Sequence, residues 1–387
     1  MNPRLRSALI HGGLFVVTFF TTTIAGSWWA SGKYFMRPWL SINLEYTWDD
    51  FKLGLPYSIT FLLILTVHEF GHYFTAMYHR VKATLPYYIP LPPYEFFLGT
   101  LGALIRIKSL IHSKRDNFDI GIAGPLAGFI IALAAMFYGF LTLPEPDYIF
   151  QIHPQYEKFG EHYADFVYTK DFTGNGGDII IGDNLLFWFF ENFVADPARV
   201  PNHHELFHFP VIFAAFLSLL FTSLNLLPIG QLDGGHVLYG LVGSRRHRIM
   251  ASVIFVLFVG YATLGMMTPL KSMNVMGLYE VPHYVGVLLM IALMFFCLRG
   301  LRLPRLQTAA IAVGIVAVQY ALRLMFPTLE GYSGWLLFAL IIGRLMPVAH
   351  PPTEIEEPLD YKRKILGWIA LIVFVICWTP KPIDFVI

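Results

Sequence analysis

The sequence predicts an all-α polytopic membrane protein with about eight or nine transmembrane helices and a short re-entrant β segment. The first observation is composition, because 56% of the 387 residues are hydrophobic and only 14% are charged. Soluble domains carry roughly 25% charged residues, so this chain has too few charges to cover a water-facing surface. The second observation is that apolar runs long enough to cross a bilayer recur along the whole chain.

Nine segments are candidates for spanning helices because each is apolar over most of the thickness of a bilayer. The eighth is short and contains Arg344, which is why the predicted count is about eight or nine. The two cysteines, Cys297 and Cys377, lie in such segments, and we expect buried thiols rather than a disulfide. The nine segments are roughly 8–26, 56–78, 120–142, 209–228, 249–268, 282–298, 308–326, 333–347 and 365–379.

Basic residues orient these segments. Arg4 and Arg6 precede the first one, which predicts a cytoplasmic N-terminus by the positive-inside rule. With nine spans the other basic clusters fall on the same side, whereas the 143–208 segment is acidic and poor in Lys and Arg. The net charge of +1 favours no particular partner, and the lack of a basic tract predicts no nucleic-acid partner; the apolar segments predict contact with the lipid bilayer. No cleavable signal peptide or transit segment is evident. We expect an integral protein of a bacterial plasma (inner) membrane.

The stretch Thr84–Lys108 differs from an ordinary loop. It is apolar but interrupted by four prolines, which rule out a continuous helix. Its last five residues, Leu104–Lys108, have the pattern of a short strand. Irregular backbone beside a membrane must be shielded by protein or line a wet cavity, so we interpret the stretch as a re-entrant hairpin. The alternative is an interfacial loop with apolar side chains.

The second predicted span contains an HExxH pattern from His68 to His72. On a helix these two histidines share a face and can bind one Zn²⁺, with Glu69 beside them as general base. Catalytic zinc keeps three protein ligands and one water, so a third ligand must come from elsewhere. Ionisable residues inside an apolar span are costly unless they pair or bind something. This cost favours a functional site over the alternative, a hydrogen-bonded His–Glu pair that bridges helices.

The third ligand is best sought in the sequence from Asn225 to Gly235, after the fourth span. Pro228 and the glycines break the helix there, so Asp233 lies where the backbone can bend towards the second span. Both sites lie towards the cytoplasmic side in the predicted topology. The alternative for Asp233 is a plain Asp-Gly turn at a membrane exit.

These motifs together resemble the site-2 protease family of intramembrane zinc metalloproteases. The resemblance rests on HEFGH in one span, AGPLAG in the next and NLLPIGQLDGG after a further span, in the family's order. It implies that His68, His72 and Asp233 hold Zn²⁺ and that Glu69 is the general base. It also implies that Asn225, eight positions before the aspartate, stabilises the oxyanion or positions the substrate.

The resemblance extends to two further features. Gly124 and Gly128 match a GxxxG-type motif of the family and permit close helix packing. The family has a β segment near the active site that is similar to the re-entrant stretch here, and an unwound substrate is thought to pair with its edge strand.

The implied activity is that of an endopeptidase that hydrolyses a peptide bond within or near a transmembrane segment of a membrane-anchored protein, in regulated intramembrane proteolysis. Its partner is then a membrane-spanning protein substrate. The corresponding domains are 1–55, the first helix and an outer loop; 56–240, the metalloprotease core with an extracytoplasmic insertion at 143–208; and 241–387, the C-terminal helices. Two other classes stay open: a metal or ion transporter, and a catalytically inactive membrane scaffold that does not need Glu69.

A second HExxH pattern runs from His204 to His208. A proline on either side leaves room for only a short helical turn, at the outer mouth of the fourth span. Asp233 cannot complete this site, because the intervening residues would span about 37 Å as a helix. His203 can supply a ligand to an accessory zinc site there, and an incidental cluster of interfacial histidines is the favoured alternative.

Overall fold

The computed structural model describes residues 3–37, 41–94, 97–169, 178–264, 266, 273–275 and 279–386. Helices dominate this part of the chain. They are α1 (Pro3–Ser31), α2 (Trp48–Leu53), α3 (Leu55–Tyr78), α4 (Lys114–Leu141), α5 (Tyr148–Ile152), α6 (Ala164–Val167), α7 (Leu185–Phe193), α8 (Pro210–Asn225), α9 (Asp233–Thr263), α10 (His283–Cys297), α11 (Arg305–Met325), α12 (Trp335–Leu345) and α13 (Tyr361–Cys377). The strands are β1 (Met36–Arg37), β2 (Ser41–Ile42), β3 (Tyr87–Pro90), β4 (Thr100–Leu104), β5 (Asp178–Ile181), β6 (Met273–Val275), β7 (Tyr279–Val281) and β8 (Ile383–Val386).

The length and apolar character of the helices indicate which of them can cross a bilayer. Within the described residues, four are long and apolar enough to cross one: α1 from Leu5, α4, α10 with the turn after it, and α11. α8 and α12 are apolar but shorter. Large apolar side chains such as Leu288 of α10 and Val318 of α11 are exposed, which is typical of helices that face lipid.

The chain is therefore an integral membrane protein of mostly helical structure. A helix coincides with each of the nine predicted apolar segments, although residues 265, 267 and 268 at the end of the fifth lie outside the described residues. The count of about eight or nine spans stays a prediction, because helix length and composition single out only the four named above.

The chain forms two compact units. The first comprises residues 1–111, 119–225 and 369–387, and the second comprises residues 112–118 and 226–368. The division into 1–55, 56–240 and 241–387 stays a prediction.

In the first unit α3 packs along α1 and α8. Tyr57 of α3 is fully buried against Gly26 of α1, where an added Cβ would lie 2.6 Å from the Tyr57 ring. On the other side, the rings of Tyr57 and Phe213 stack with centroids 6.0 Å apart, and Phe61 and Phe221 meet at 5.9 Å. Aromatic contacts of this kind hold α3 between two neighbours and fix the rotation of the HExxH helix.

The hairpin of β3 and β4 occupies the predicted re-entrant stretch. The strands are antiparallel and pair Tyr88 with Ala103. The hairpin follows α1, where Thr21 donates a hydrogen bond of 2.7 Å to the carbonyl of Gly99. It also reaches α3, because the hydroxyls of Tyr88 and Thr66 are 2.7 Å apart. The hairpin therefore lies beside the turn of α3 that precedes His68.

The strand begins four residues before the predicted one. Regular pairing runs over Thr100–Leu104, and the predicted segment Leu104–Lys108 continues the hairpin through a bridge between Ile107 and Ala83 and backbone hydrogen bonds that join Thr84 to Arg106 and Lys108 to Lys82. The reason is the turn before β4, where Gly99 has φ +77 and accepts a hydrogen bond from Leu91. A positive φ is available to glycine without a steric penalty, so the chain reverses at Gly99 and pairing starts at the next residue.

The described residues contain more β structure than a single re-entrant segment. Three other two-stranded antiparallel sheets join β1 to β2, β5 to β8 and β6 to β7. The β5–β8 sheet connects Asp178–Ile181 of the insertion with Ile383–Val386 near the end of the sequence. A pairing between segments so far apart leaves no local pattern to predict it.

In the second unit α9 begins at Asp233 and is interrupted at Gly243, where φ is +78. α12 packs against α9 and α10. Gly343 of α12 makes this approach possible, since a Cβ there would lie 1.9 Å from the carbonyl oxygen of Cys297. Cys297 and Cys377 are both buried and unbonded, which confirms the expectation of free thiols.

Candidate active site

The HExxH pattern lies in the middle of α3, and its polar side chains are buried. His68, Glu69 and His72 expose only 6%, 6% and 8% of their surface. α3 has Pro56 in its first turn and an apolar sequence ahead of the motif, which suits a helix that begins at the membrane surface. Buried polar groups are tolerated only where they find partners, so the surroundings of these three side chains decide what they do.

The two histidines face each other as the sequence predicts. Their Nε2 atoms are 3.1 Å apart and their rings meet edge to face with centroids at 4.9 Å. Two imidazole ligands on one tetrahedral Zn²⁺ are separated by about 3.3 Å, from Zn–N bonds of about 2.0–2.1 Å. The carboxylate oxygen Oε1 of Glu69 lies 4.0 Å from Nε2 of His68, close enough to act on a water beside the pair. The donor set fits zinc.

His72 is oriented by α4. Its Nδ1 lies 2.7 Å from the carbonyl oxygen of Ile120 and donates its hydrogen there. The proton is therefore on Nδ1, and the lone pair of Nε2 points towards His68. A hydrogen bond from the second nitrogen to a backbone carbonyl is the usual way in which a metal-binding histidine is held.

The GxxxG-type motif of α4 makes room for the histidines. A Cβ on Gly124 would lie 2.1 Å from Nε2 of His72, and a Cβ on Gly128 would lie 3.0 Å from Cβ of His68. On α3 the glycine inside the motif, Gly71, approaches the carbonyl of Ala123 in the same way. The two glycines of the predicted packing motif therefore also contact the histidine pair directly.

Asn225, the last residue of α8, belongs to the same site. Its side-chain nitrogen Nδ2 lies 3.4 Å from Nε2 of His68. A small cavity beside it is lined by Leu65 and His68 of α3 and by Ser218 and Thr222 of α8. The amide is therefore placed to donate a hydrogen bond beside the histidine pair, and its role in stabilising the oxyanion or positioning the substrate stays a prediction.

Asp233 is the first residue of α9 and lies in the second unit. It is half-buried, and Gly234 and Gly235 after it pack against the backbone of Leu226 and Gly230. The chain therefore folds back on itself at the LDG motif rather than forming a simple surface turn. Its role as third ligand stays a prediction.

The second HExxH pattern is not a helical pair. Only Leu206–His208 forms a turn of 3₁₀ helix, and His204 instead pairs with Asp178. His203 pairs with Glu191, with Nε2 and Oε1 3.1 Å apart, so it does not join His208. The motif alone would mislead here, because its spacing has no helix to place both histidines on one face.

His208 has partners that sequence reasoning missed. Its Nε2 lies 3.0 Å from Nε2 of His153, and Glu205 lies beside both rings. Burial lowers the pKa of His208 to about 4, so the ring is neutral at pH 7. His153 carries no motif, and its distance in sequence gives no signal that it meets His208.

Comparison with known proteins gives the family. The profile of peptidase family M50 matches residues 56–267, more than half of the chain. Among curated proteins, the chain is 27% identical over 238 residues to "Probable zinc metalloprotease EGY2, chloroplastic" of Arabidopsis thaliana, covering 58% of this chain and 37% of that protein. It is 32% identical over 191 residues to "Probable zinc metalloprotease EGY1, chloroplastic" of Oryza sativa subsp. japonica, which covers 49% of this chain and 28% of that protein.

The profile match covers the region that carries the motifs. The chain spans about a third of the length of the curated relatives it matches. No solved structure matches it. The profile match includes His68, His72, Asn225 and Asp233, and the relatives confirm the resemblance to the site-2 proteases. This chain belongs to peptidase family M50.

Proposed function

We propose that the chain is an intramembrane zinc endopeptidase that hydrolyses a peptide bond within or near a transmembrane segment of a membrane-anchored protein. The observation that carries the proposal is the buried pair of Nε2 atoms of His68 and His72, 3.1 Å apart on a helix inside the family match. Family membership favours a hydrolase over a transporter or an inactive scaffold.

His68, His72 and Asp233 would hold the zinc. The two histidines are supported by their geometry, and Asp233 by its position in the LDG motif within the family match. When bound, zinc polarises the scissile carbonyl and lowers the pKa of a water molecule to about 7.

Glu69 acts as the general base. Its carboxylate takes a proton from the attacking water and later passes that proton to the leaving amine, which balances the hydrolysis. Asn225 donates a side-chain N–H to the oxygen of the scissile carbonyl as negative charge develops there. His72 keeps its tautomer through the carbonyl of Ile120 and needs no proton transfer of its own.

The substrate would be a membrane-spanning protein whose helix unwinds before cleavage, since intact helical hydrogen bonds hide its carbonyls. β4 can hold the unwound segment by strand pairing. Two features support this: among the described residues no strand pairs with the other edge of β4, and Leu101 and Leu104 of β4 are exposed. The hydroxyl contact between Tyr88 and Thr66 keeps the hairpin near His68.

We also infer the topology from charge: about eight or nine spans, a cytoplasmic N-terminus and an insertion at 143–208 outside the cell. We infer a bacterial plasma membrane for the chain, whereas the similar plant proteins are described as chloroplastic. Fractionation of the native host decides between these membranes.

The test separates metal binding from catalysis. Glu69→Gln should retain zinc but lower the rate of substrate cleavage by about 10²–10⁴-fold, because its amide cannot accept the proton. Asp233→Ala should weaken both zinc binding and cleavage, and His68→Ala/His72→Ala should abolish both. The assay is co-expression with single-span membrane proteins, with zinc measured on the purified enzyme. Cleavage by Glu69→Gln at the wild-type rate would refute the assignment of the base.

A further inference from the structure

Three metal-binding side chains meet in the 143–208 segment. His153 directly follows α5. Glu205 precedes the 3₁₀ turn before α8, and His208 is the last residue of that turn; all three residues belong to the first unit. The two Nε2 atoms are 3.0 Å apart, and each lies 3.4 Å from Oε2 of Glu205. The cluster is separate from the HExxH pair, because α8 extends for 16 residues, or about 24 Å, between His208 and Asn225.

Hydrogen bonds alone do not satisfy this triangle. Nδ1 of His208 lies 3.0 Å from the carbonyl oxygen of Ala30 and donates its hydrogen there, so Nε2 of the neutral ring offers a lone pair. Nε2 of His153 carries at most one hydrogen, which can be donated either to Nε2 of His208 or to Oε2 of Glu205 but not fully to both. Among the described residues, the buried Oε2 of Glu205 accepts no hydrogen bond. An unsatisfied buried acceptor costs about 1–3 kcal/mol, and a charged one costs more.

The triangle has the dimensions of a zinc site. Donor atoms around tetrahedral Zn²⁺ are about 3.3 Å apart, close to the three separations observed. The outer contacts also fit: the Ala30 carbonyl fixes the tautomer of His208, and the hydroxyl of Tyr168 donates a 2.5 Å hydrogen bond to Oε1 of Glu205, leaving Oε2 to face the rings. The side chain of His153 is 27% exposed, whereas those of Glu205 and His208 are 2% and 3% exposed, so an ion can enter past His153.

We propose that His153, Glu205 and His208 bind a second divalent metal ion, for which Zn²⁺ is the best match to two imidazoles and a carboxylate. The ion joins the end of α5 to the start of α8 and, through the hydrogen bond of His208 to Ala30, to the end of α1. Its role is to hold the insertion against the membrane helices. The proposal is independent of the peptidase activity, because none of its residues belongs to the site of His68, Glu69 and His72.

The test uses full-length protein in detergent in which His68→Ala/His72→Ala has removed the candidate catalytic ligands. After dialysis against Zn²⁺ and removal of loose metal, this protein should retain about one zinc per chain. Adding Glu205→Gln, which keeps the size of the side chain, should reduce the retained zinc to a small fraction. Adding His162→Ala, a histidine that is 83% exposed on the same segment, should leave it unchanged.

Two further measurements keep the test decisive if a variant folds poorly. Circular dichroism of each variant establishes that the helices remain, and His153→Ala removes the most exposed ligand with the least disturbance of packing. Co²⁺ bound to the background protein should show the intense visible absorption of a tetrahedral site, and Glu205→Gln and His153→Ala should each abolish it. If the background protein retains no zinc, or if folded Glu205→Gln and His153→Ala variants bind as much as the background, the triangle is a hydrogen-bonded cluster and the proposal is wrong.

Discussion

Gly124→Ala tests whether α4 shapes the zinc site or merely packs against α3. The added Cβ would lie 2.1 Å from Nε2 of His72, which is about 1.3 Å short of the 3.4 Å at which ordinary contact begins. Neither helix can yield freely, because their backbones are already close: a Cβ on Gly71 of α3 would lie 2.7 Å from the carbonyl oxygen of Ala123. The imidazole must therefore rotate or shift, and its hydrogen bond to Ile120 must lengthen.

The size of the effect follows from the displacement. Zinc–ligand distances vary by about 0.2 Å around their normal values, so a shift of the order of 1 Å removes His72 from the metal. Misplacement of a catalytic group by about 1 Å can reduce the rate about 10²-fold. Overpacking costs about 1–3 kcal/mol of folding free energy, partly offset by the higher helix propensity of alanine, about 1 kcal/mol. We expect a folded protein with little retained zinc and a cleavage rate at least about 100-fold lower.

The assay compares three glycines. Gly13→Ala in α1 is the control, because no atom lies within 4 Å of the added Cβ, and it should leave zinc and cleavage unchanged. The zinc content and cleavage rate of Gly128→Ala should lie between those of Gly124→Ala and Gly13→Ala. Its added Cβ would lie 3.0 Å from Cβ of His68, and a small shift relieves that contact. Zinc content and cleavage are measured on each purified variant. Normal zinc and cleavage in Gly124→Ala would show that α4 does not constrain His72.

The remaining predictions concern substrate, topology and pH. Leu101→Pro in β4 should impair cleavage but retain zinc, because proline removes a backbone N–H and disrupts strand pairing, whereas Leu101→Val should be mild; full activity of the proline variant would exclude strand pairing there. A cysteine introduced at Glu157 should react with a label added outside the cell, whereas a cysteine at His112 should react only after the membrane is permeabilised. The reverse pattern would invert the topology. The ion pair with Glu191 raises the pKa of His203 to about 9 despite partial burial, so its stabilising effect is complete below about pH 6.5 and is lost as pH rises through 9. Glu191→Gln should flatten that part of the pH profile of thermal unfolding, and an unchanged profile would contradict the assignment.

Several features of this protein could be predicted from sequence because they depend on neighbouring residues. The scarcity of charge predicts a membrane protein, and the helical period alone brings His68 and His72 to one face of α3. The hairpin was predicted because prolines exclude a helix, yet its second strand lies four residues earlier than predicted. Its register depends on the positive φ at Gly99, which a pattern of apolar residues does not encode.

Other features were decided only by tertiary structure. Gly124 was predicted to pack, but the path of α4 past α3 is what brings it against Nε2 of His72. His204 to His208 repeats the catalytic pattern, yet a 3₁₀ turn separates its histidines and His208 meets His153 instead. These contacts link residues far apart in sequence. Local propensity and residue spacing act over one or two helical turns, whereas such contacts arise only when helices pack. The sequence alone therefore determines the two histidines on one helix. The tertiary fold determines what surrounds them.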